Sequence, residues 1–390
     1  MERIHFFGCL VSAIPTLLGD TVARISFSDL KRQYAPLRET LHAAAGRVID
    51  SGQYIGGPEV KGFEQEMATW MGVPEIVSCA CATSGLFAVM KSMGIGPGDE
   101  VITTPHTAIA TAEAVSLTGA QVVFADLKPG SCNIDPEQVA KKITPRTKAL
   151  IPVHLYGIPA DIDAFKALAT ANGLWLIEDC AQAQGARYQG KYVGTYGDAS
   201  VFSFFPSKNL GGFGDGGATF VRDDALRRKV RMYSNHGRES KYIHEFEGIN
   251  SRLDAIQAAL LRVNLPHLDA WNAQRREAAG WYAQELAAVK ELTIPAVLPG
   301  TEPIFHVYGV LVPDREKLTH HLKSQGIESG VHYPYALNVL PAYERLNQGK
   351  GSFPVAEHFC EHEISLPMFP GITREEVAAV GQAIRTFFGR

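Results

Sequence analysis

Lys208 lies in Phe202-Ser203-Phe204-Phe205-Pro206-Ser207-Lys208-Asn209-Leu210-Gly211-Gly212, downstream of an apolar run that ends in Ile177-Glu178-Asp179. A lysine held rigidly and partly desolvated loses its proton more readily, and its free amine can attack an aldehyde. Pyridoxal phosphate is the aldehyde this arrangement suits. That cofactor also needs a carboxylate at its ring nitrogen, a phosphate cradle and a flat partner for its ring. Asp179, at the end of a strand, is the candidate carboxylate; alone, such an aspartate is more often a turn former. Ala82-Thr83-Ser84-Gly85 opens a helical stretch, so its backbone N–H groups and the Thr83 hydroxyl could hold a phosphate, with Ser203 adding a second hydroxyl. Simple N-capping by Thr83 or Ser84 is the alternative. His106, following the run Val101–Thr103, could lie flat on the ring, or be an ordinary loop histidine.

The elements that must position these residues read as α/β. Short apolar runs at Ile76–Ser78, Glu100–Ile102, Gln121–Phe124, Ala149–Val153 and Leu174–Ile177 alternate with helical stretches. This predicts βαβ units in a mostly parallel sheet, with ligands bound at the carboxyl ends of the strands. Helices are expected over Ala35–Asp50 and Pro58–Met71, and a long helical region from Asp254 to about Lys290 leads into a smaller α+β region. That region holds a strand at His306–Val312 and a terminal helix at Arg374–Phe388. The expected division is an extension over 1–25, a large cofactor-binding α/β domain over 26–265, and a small domain over 266–390.

Composition excludes several classes. The 390 residues carry 37 basic and 41 acidic side chains, a net charge of −4, with no basic stripe interleaved with aromatics of the kind nucleic acid needs. The six cysteines match neither a zinc pattern nor a disulfide framework, so no metal is expected and they read as reduced residues. His5–Leu18 is apolar but contains Pro15, and is too short to cross a bilayer as a helix. A cytoplasmic protein without membrane partners is the expectation.

Longer motifs carry a resemblance over nearly the whole chain from Ile25. They include Gly94-Ile95-Gly96-Pro97-Gly98-Asp99-Glu100-Val101, Pro152-Val153-His154-Leu155-Tyr156-Gly157, Ile177-Glu178-Asp179-Cys180-Ala181-Gln182, Pro206-Ser207-Lys208-Asn209-Leu210-Gly211 and Asn250-Ser251-Arg252-Leu253-Asp254. In this order they resemble the DegT/DnrJ/StrS sugar aminotransferases, whose fold is that of aspartate aminotransferase. The resemblance implies that Lys208 is the Schiff-base lysine, Asp179 meets the pyridine nitrogen and Gln182 lies by the ring hydroxyl. It places His106 on the ring, and Ala82, Thr83 and Ser203 around the phosphate. Asn250 would reach the phosphate of a neighbouring subunit, so a homodimer with shared sites is implied. Cys81-Ala82-Thr83 stands where the family usually has Ser-Gly-Thr, and Cys180 replaces a common alanine.

The implied reaction is a ping-pong transfer of an amino group from an amino acid, glutamate by family habit, to a nucleotide-linked 3-keto or 4-keto sugar. Such products feed polysaccharides or antibiotics. Gly330-Val331-His332-Tyr333-Pro334 resembles a segment bordering the sugar pocket, making His332 and Tyr333 candidate substrate contacts, or simply the end of a strand. Arg252 is a candidate clamp for the donor carboxylate. The alternatives are a non-catalytic regulatory protein of the same fold, and an aminocyclitol aminotransferase using glutamine.

Overall fold

The computed structural model describes residues 24–390. The expected extension over 1–25 therefore falls almost wholly outside the described residues, as does Cys9.

A seven-stranded sheet forms the centre. It runs from Ile76–Cys79 at one edge through Gly217–Val221, Ala199–Ser203, Trp175–Asp179, Thr147–Leu150 and Glu100–Thr103 to Gln121–Phe124. All neighbours pair in parallel except at Gly217–Val221, which is antiparallel to both of its neighbours. Ile76–Cys79, Glu100–Thr103, Ala199–Ser203 and Gly217–Val221 are buried at every position. Helices cover both faces, which is why the strands are continuously apolar rather than alternating. The expected α/β fold with a mostly parallel sheet is present, and the one reversed strand is the departure from it.

Because six strands run the same way, their carboxyl ends share one edge. Cys79, Thr103, Asp179 and Ser203 end there, and the segments bearing Thr83, His106, Gln182 and Lys208 follow them. Helix Ala82–Ser92 starts from this edge, capped by Cys81, whose Sγ accepts from Ser84 N at 3.5 Å.

The first expected helix, Ala35–Asp50, is α-helical from Arg38 to Ser51; a 3-10 turn at Ala35–Leu37, where Pro36 cannot supply an N–H, precedes it and separates it from a short helix Leu30–Tyr34. Pro266 does the same to the long helical region, splitting it into Ala255–Asn264 and Leu268–Leu286 around the turn Leu265–His267. Leu268–Leu286 packs against the terminal helix Arg374–Phe387, and Tyr282, Val310, Leu318 and Ile384 lie in the core that joins them to the antiparallel pair Tyr308–Leu311 and Glu363–Leu366.

Candidate active site

Asp179 is the last residue of its strand and is 4 % exposed. Both carboxylate oxygens are occupied: Thr111 Oγ1 donates to Oδ2 at 2.7 Å and Ala181 N donates to Oδ1 at 3.0 Å. Gln182 is aimed by two contacts. Its Oε1 accepts from Tyr156 N at 2.7 Å, and its Nε2 donates to Tyr333 Oη at 3.1 Å. Tyr156 reaches this position with φ 58°, and Gly157 follows with φ 79°. A Cβ on Gly157 would meet Gln182 O at 2.9 Å, so the left-handed turn and the bare glycine together bring this loop against Gln182.

Lys208 sits on a loop closed by Lys208 N to Phe205 O and Gly212 N to Phe204 O, each 2.8 Å. A Cβ on Gly211 would lie 2.2 Å from Pro206 O, so the turn tolerates no side chain there. Beneath it, Asn209 Nδ2 donates to Asn272 Oδ1 at 2.7 Å and to Ile304 O at 3.3 Å, while Asn209 Oδ1 faces His306 Nδ1 at 3.0 Å. Burial lowers the Lys208 ammonium to about 8 against the opposing pull of Asp179. About a tenth of the amine is then free at pH 7. His306 is held well below its ordinary value, first by burial and then by the Lys208 charge, so it stays neutral.

At the helix start, Thr83 is half-buried and its side chain has no partner among the described residues, leaving its hydroxyl and the first N–H groups open. Ser84 is engaged by Cys81 O at 3.0 Å and by Ser251 Oγ at 2.7 Å. Ser203 Oγ accepts from Phe205 N at 3.3 Å and keeps its own proton free. A Cβ on Gly217 would meet Ala82 N at 2.7 Å, so the backbones close tightly here. A free-amine lysine beside a paired carboxylate, with an open helix N-terminus and two hydroxyls nearby, is a donor set that fits pyridoxal phosphate.

His106 lies just beyond the strand that ends at Thr103. It is fully buried, with its ring 4.5 Å from that of Phe359, its Nε2 3.3 Å from Tyr156 Oη, and its pKa lowered to about 4 by burial. Phe359 and Tyr156 are thus the neighbours of its ring in this structure. Asn250 is exposed, on a segment bridged to Asn235. Arg252 is tied to Asn235 Oδ1 at 3.2 Å, and among the described residues no hydrogen bond joins it to the Lys208 loop. His332 and Tyr333 join the site: Tyr333 through Gln182, His332 within reach of the Lys208 charge, which lowers it to about 4 after burial has acted.

Thr111, Tyr156, Asn209 and His306 belong to the site without standing out in the sequence. Tyr156 and Asn209 lie inside motifs that assign them no role, and His306 opens an apolar run that reads only as a strand.

His154, Glu178 and Cys180 approach closely enough to hold a metal. His154 Nδ1 accepts from Ala160 N, however, and Glu178 accepts from His154 and the N–H groups of Gly194, Tyr196 and Gly197. Their lone pairs are spent bracing the sheet edge behind Asp179.

Residues 36–385 match the DegT/DnrJ/EryC1/StrS aminotransferase family. The chain is 44% identical over 367 residues to dTDP-3-amino-3,4,6-trideoxy-alpha-D-glucose transaminase of Streptomyces venezuelae, covering 94% of this chain and 97% of that one. It is 43% identical to UDP-N-acetyl-3-dehydro-alpha-D-glucosamine 3-aminotransferase of Acidithiobacillus ferrooxidans, covering 93% and 97%. Among solved structures it is similar to S. venezuelae DesV in complex with a ketimine intermediate, with TM-score 0.92, 44% identity and coverage of 94% and 99%. These likenesses do not favour the regulatory or aminocyclitol alternatives. The chain belongs to the DegT/DnrJ/EryC1/StrS family and is a pyridoxal-phosphate-dependent aminotransferase.

Proposed function

We propose that this enzyme aminates the C3 carbonyl of a nucleotide-linked keto sugar, taking the amino group from glutamate. The observation that carries this reading is the convergence of Lys208, Asp179, Gln182 and Tyr333 on one sheet edge, joined to the 3-amino sugars named for both relatives. When bound, pyridoxal phosphate supplies the aldehyde and the electron-accepting ring on which an amino group is carried between substrates. The chain's own residues do the rest.

Asp179, its carboxylate oriented by Thr111 and Ala181, would meet the ring nitrogen and keep a proton there. Lys208 would take and return the proton at the substrate Cα, its free amine acting as base and its ammonium as acid. Gln182 presents its amide between Tyr156 and Tyr333 and orients the ring. Ala82 N, Thr83 and Ser203 bind the phosphate. His332 and Tyr333 border the acceptor sugar. Domains of 26–265 and 266–390 would meet at this site.

We assign it to a homodimer in which Asn250 reaches the partner's phosphate. Apolar side chains exposed beside the Lys208 loop support this: Phe205 at 51 % and Phe213 at 44 %, next to a groove of about 1130 Å³ lined by Tyr34, Leu41 and Ile49. No helix among the described residues is long and apolar enough to cross a membrane, and we place the enzyme in the cytoplasm, where nucleotide sugars are made.

The test is turnover with dTDP- and UDP-linked 3-keto and 4-keto sugars against glutamate and glutamine. Amination only at C3 with glutamate is expected. Amination at C4, or with glutamine alone, would overturn the assignment.

A further inference from the structure

His332 is held on all sides. The segment at Gly330 bridges Ser365 in antiparallel fashion, with Gly330 N to Ser365 O and Ser365 N to Gly330 O both 2.9 Å. That register sets His332 beside Glu363 and Ser365. His332 N donates to Glu363 Oε2 at 2.7 Å, His332 O accepts from Tyr156 Oη, and the imidazole stacks on Phe27 with centroids 5.6 Å apart. Its Nδ1 lies 2.9 Å from Ser365 Oγ, and Ser365 Oγ donates to Glu363 Oε1.

The supply of protons fixes the tautomer. Ser365 has one hydroxyl proton, and an ionised Glu363 can only accept, so that proton goes to the carboxylate. The contact between Ser365 Oγ and Nδ1 must then be donated by Nδ1–H. A neutral imidazole carries a single N–H, which leaves Nε2 as a bare lone pair. Nε2 has no partner among the described residues and is not a buried atom, so its lone pair is open to a ligand.

We propose that Glu363 and Ser365 are positioning residues that fix His332 as a hydrogen-bond acceptor at Nε2, selecting acceptor sugars that present a hydroxyl or amide N–H there. A keto, ether or deoxy position offers no proton and gains nothing from it. This rests on the reading of His332 as a sugar contact.

The test is ¹⁵N NMR of the imidazoles in the full chain loaded with cofactor, at about pH 8, above the value of about 7 to which burial pushes Glu363. The His332 signals are assigned by their loss in His332→Asn. Wild type should show Nδ1–H with a bare Nε2. In Glu363→Gln the new amide can donate to Ser365, whose proton then turns to Nδ1, so the tautomer should invert to Nε2–H. Ser365→Ala, which removes the link without a new donor, should give a mixture. The Michaelis constant for the sugar should rise about tenfold in Glu363→Gln, the loss of one hydrogen bond, with the glutamate half-reaction unchanged. Nε2–H in the wild type overturns the relay. The predicted tautomers with an unchanged sugar Michaelis constant overturn its role in selection. The predicted tautomers in a chain that aminates no nucleotide sugar support the relay and overturn the substrate reading beneath it.

Discussion

Thr111 Oγ1 donates to Asp179 Oδ2 at 2.7 Å from the first turn of the helix Ile109–Leu117, so a residue two strands away fixes the rotamer of the carboxylate. With Ala181 N on the other oxygen, Asp179 is oriented by two neutral donors. Thr111→Val, nearly isosteric, should remove this donor and weaken cofactor retention by about 1–3 kcal/mol, read as a roughly 5- to 150-fold rise in the concentration of pyridoxal phosphate needed to restore activity. Asp179→Asn should fold as wild type and lose roughly 10²-fold or more in turnover. Equal retention in Thr111→Val would mean that Ala181 alone positions the carboxylate.

Burial sets the working range of Lys208. Its folded value of about 8 lies below the ordinary 10.5, so the amine is mostly protonated below pH 8 and free above it. Capture of pyridoxal phosphate by the apoprotein should therefore accelerate as pH rises from 7 to 9 and level off beyond, with a midpoint about two units below that of a surface lysine. The sign for stability is the same: the unfolded chain binds more protons between pH 8 and 10.5, so the apoprotein gains stability across that window. Absorbance kinetics over a pH series check the first statement and urea midpoints the second.

Gly157 is a position where a single methyl should disturb the site itself. Its φ of 79°, and the 2.9 Å that would separate an added Cβ from Gln182 O, leave no room for alanine. Gly157→Ala should cost about 1–3 kcal/mol in urea denaturation and also displace Gln182 from Tyr333, lowering turnover beyond the stability loss. A stability loss with unchanged turnover at saturating cofactor would separate the loop from the site.

Much of this is legible in the sequence for physical reasons. Asp179, Gln182 and Lys208 stand just beyond apolar runs, and parallel strands gather their carboxyl ends at one edge, so order along the chain maps to proximity in space. Three features are not legible. A buried strand is apolar in either direction, so the reversal of Gly217–Val221 leaves no trace in composition. His106 follows a strand as loop residues do, yet Phe359, far along the chain, closes over it. The pairing of Glu363 and Ser365 with His332 depends on strand register between distant segments, which no local pattern encodes.

The exposed rings beside the active loop predict association. Phe213→Asp should shift the enzyme toward monomer in sedimentation equilibrium and lower activity in proportion, since the partner's Asn250 would be lost from each site. A wild type that sediments as a monomer while fully active would remove both the interface and the role of Asn250.

The most direct measurement is an absorbance spectrum of wild type and Lys208→Ala after adding pyridoxal phosphate, followed by titration with glutamate. Wild type should acquire a visible band that glutamate removes with stoichiometric release of 2-oxoglutarate, while Lys208→Ala forms no such band of its own. A wild type that acquires no band, or one whose band glutamate leaves untouched, would contradict the assignment of Lys208 and of glutamate as donor.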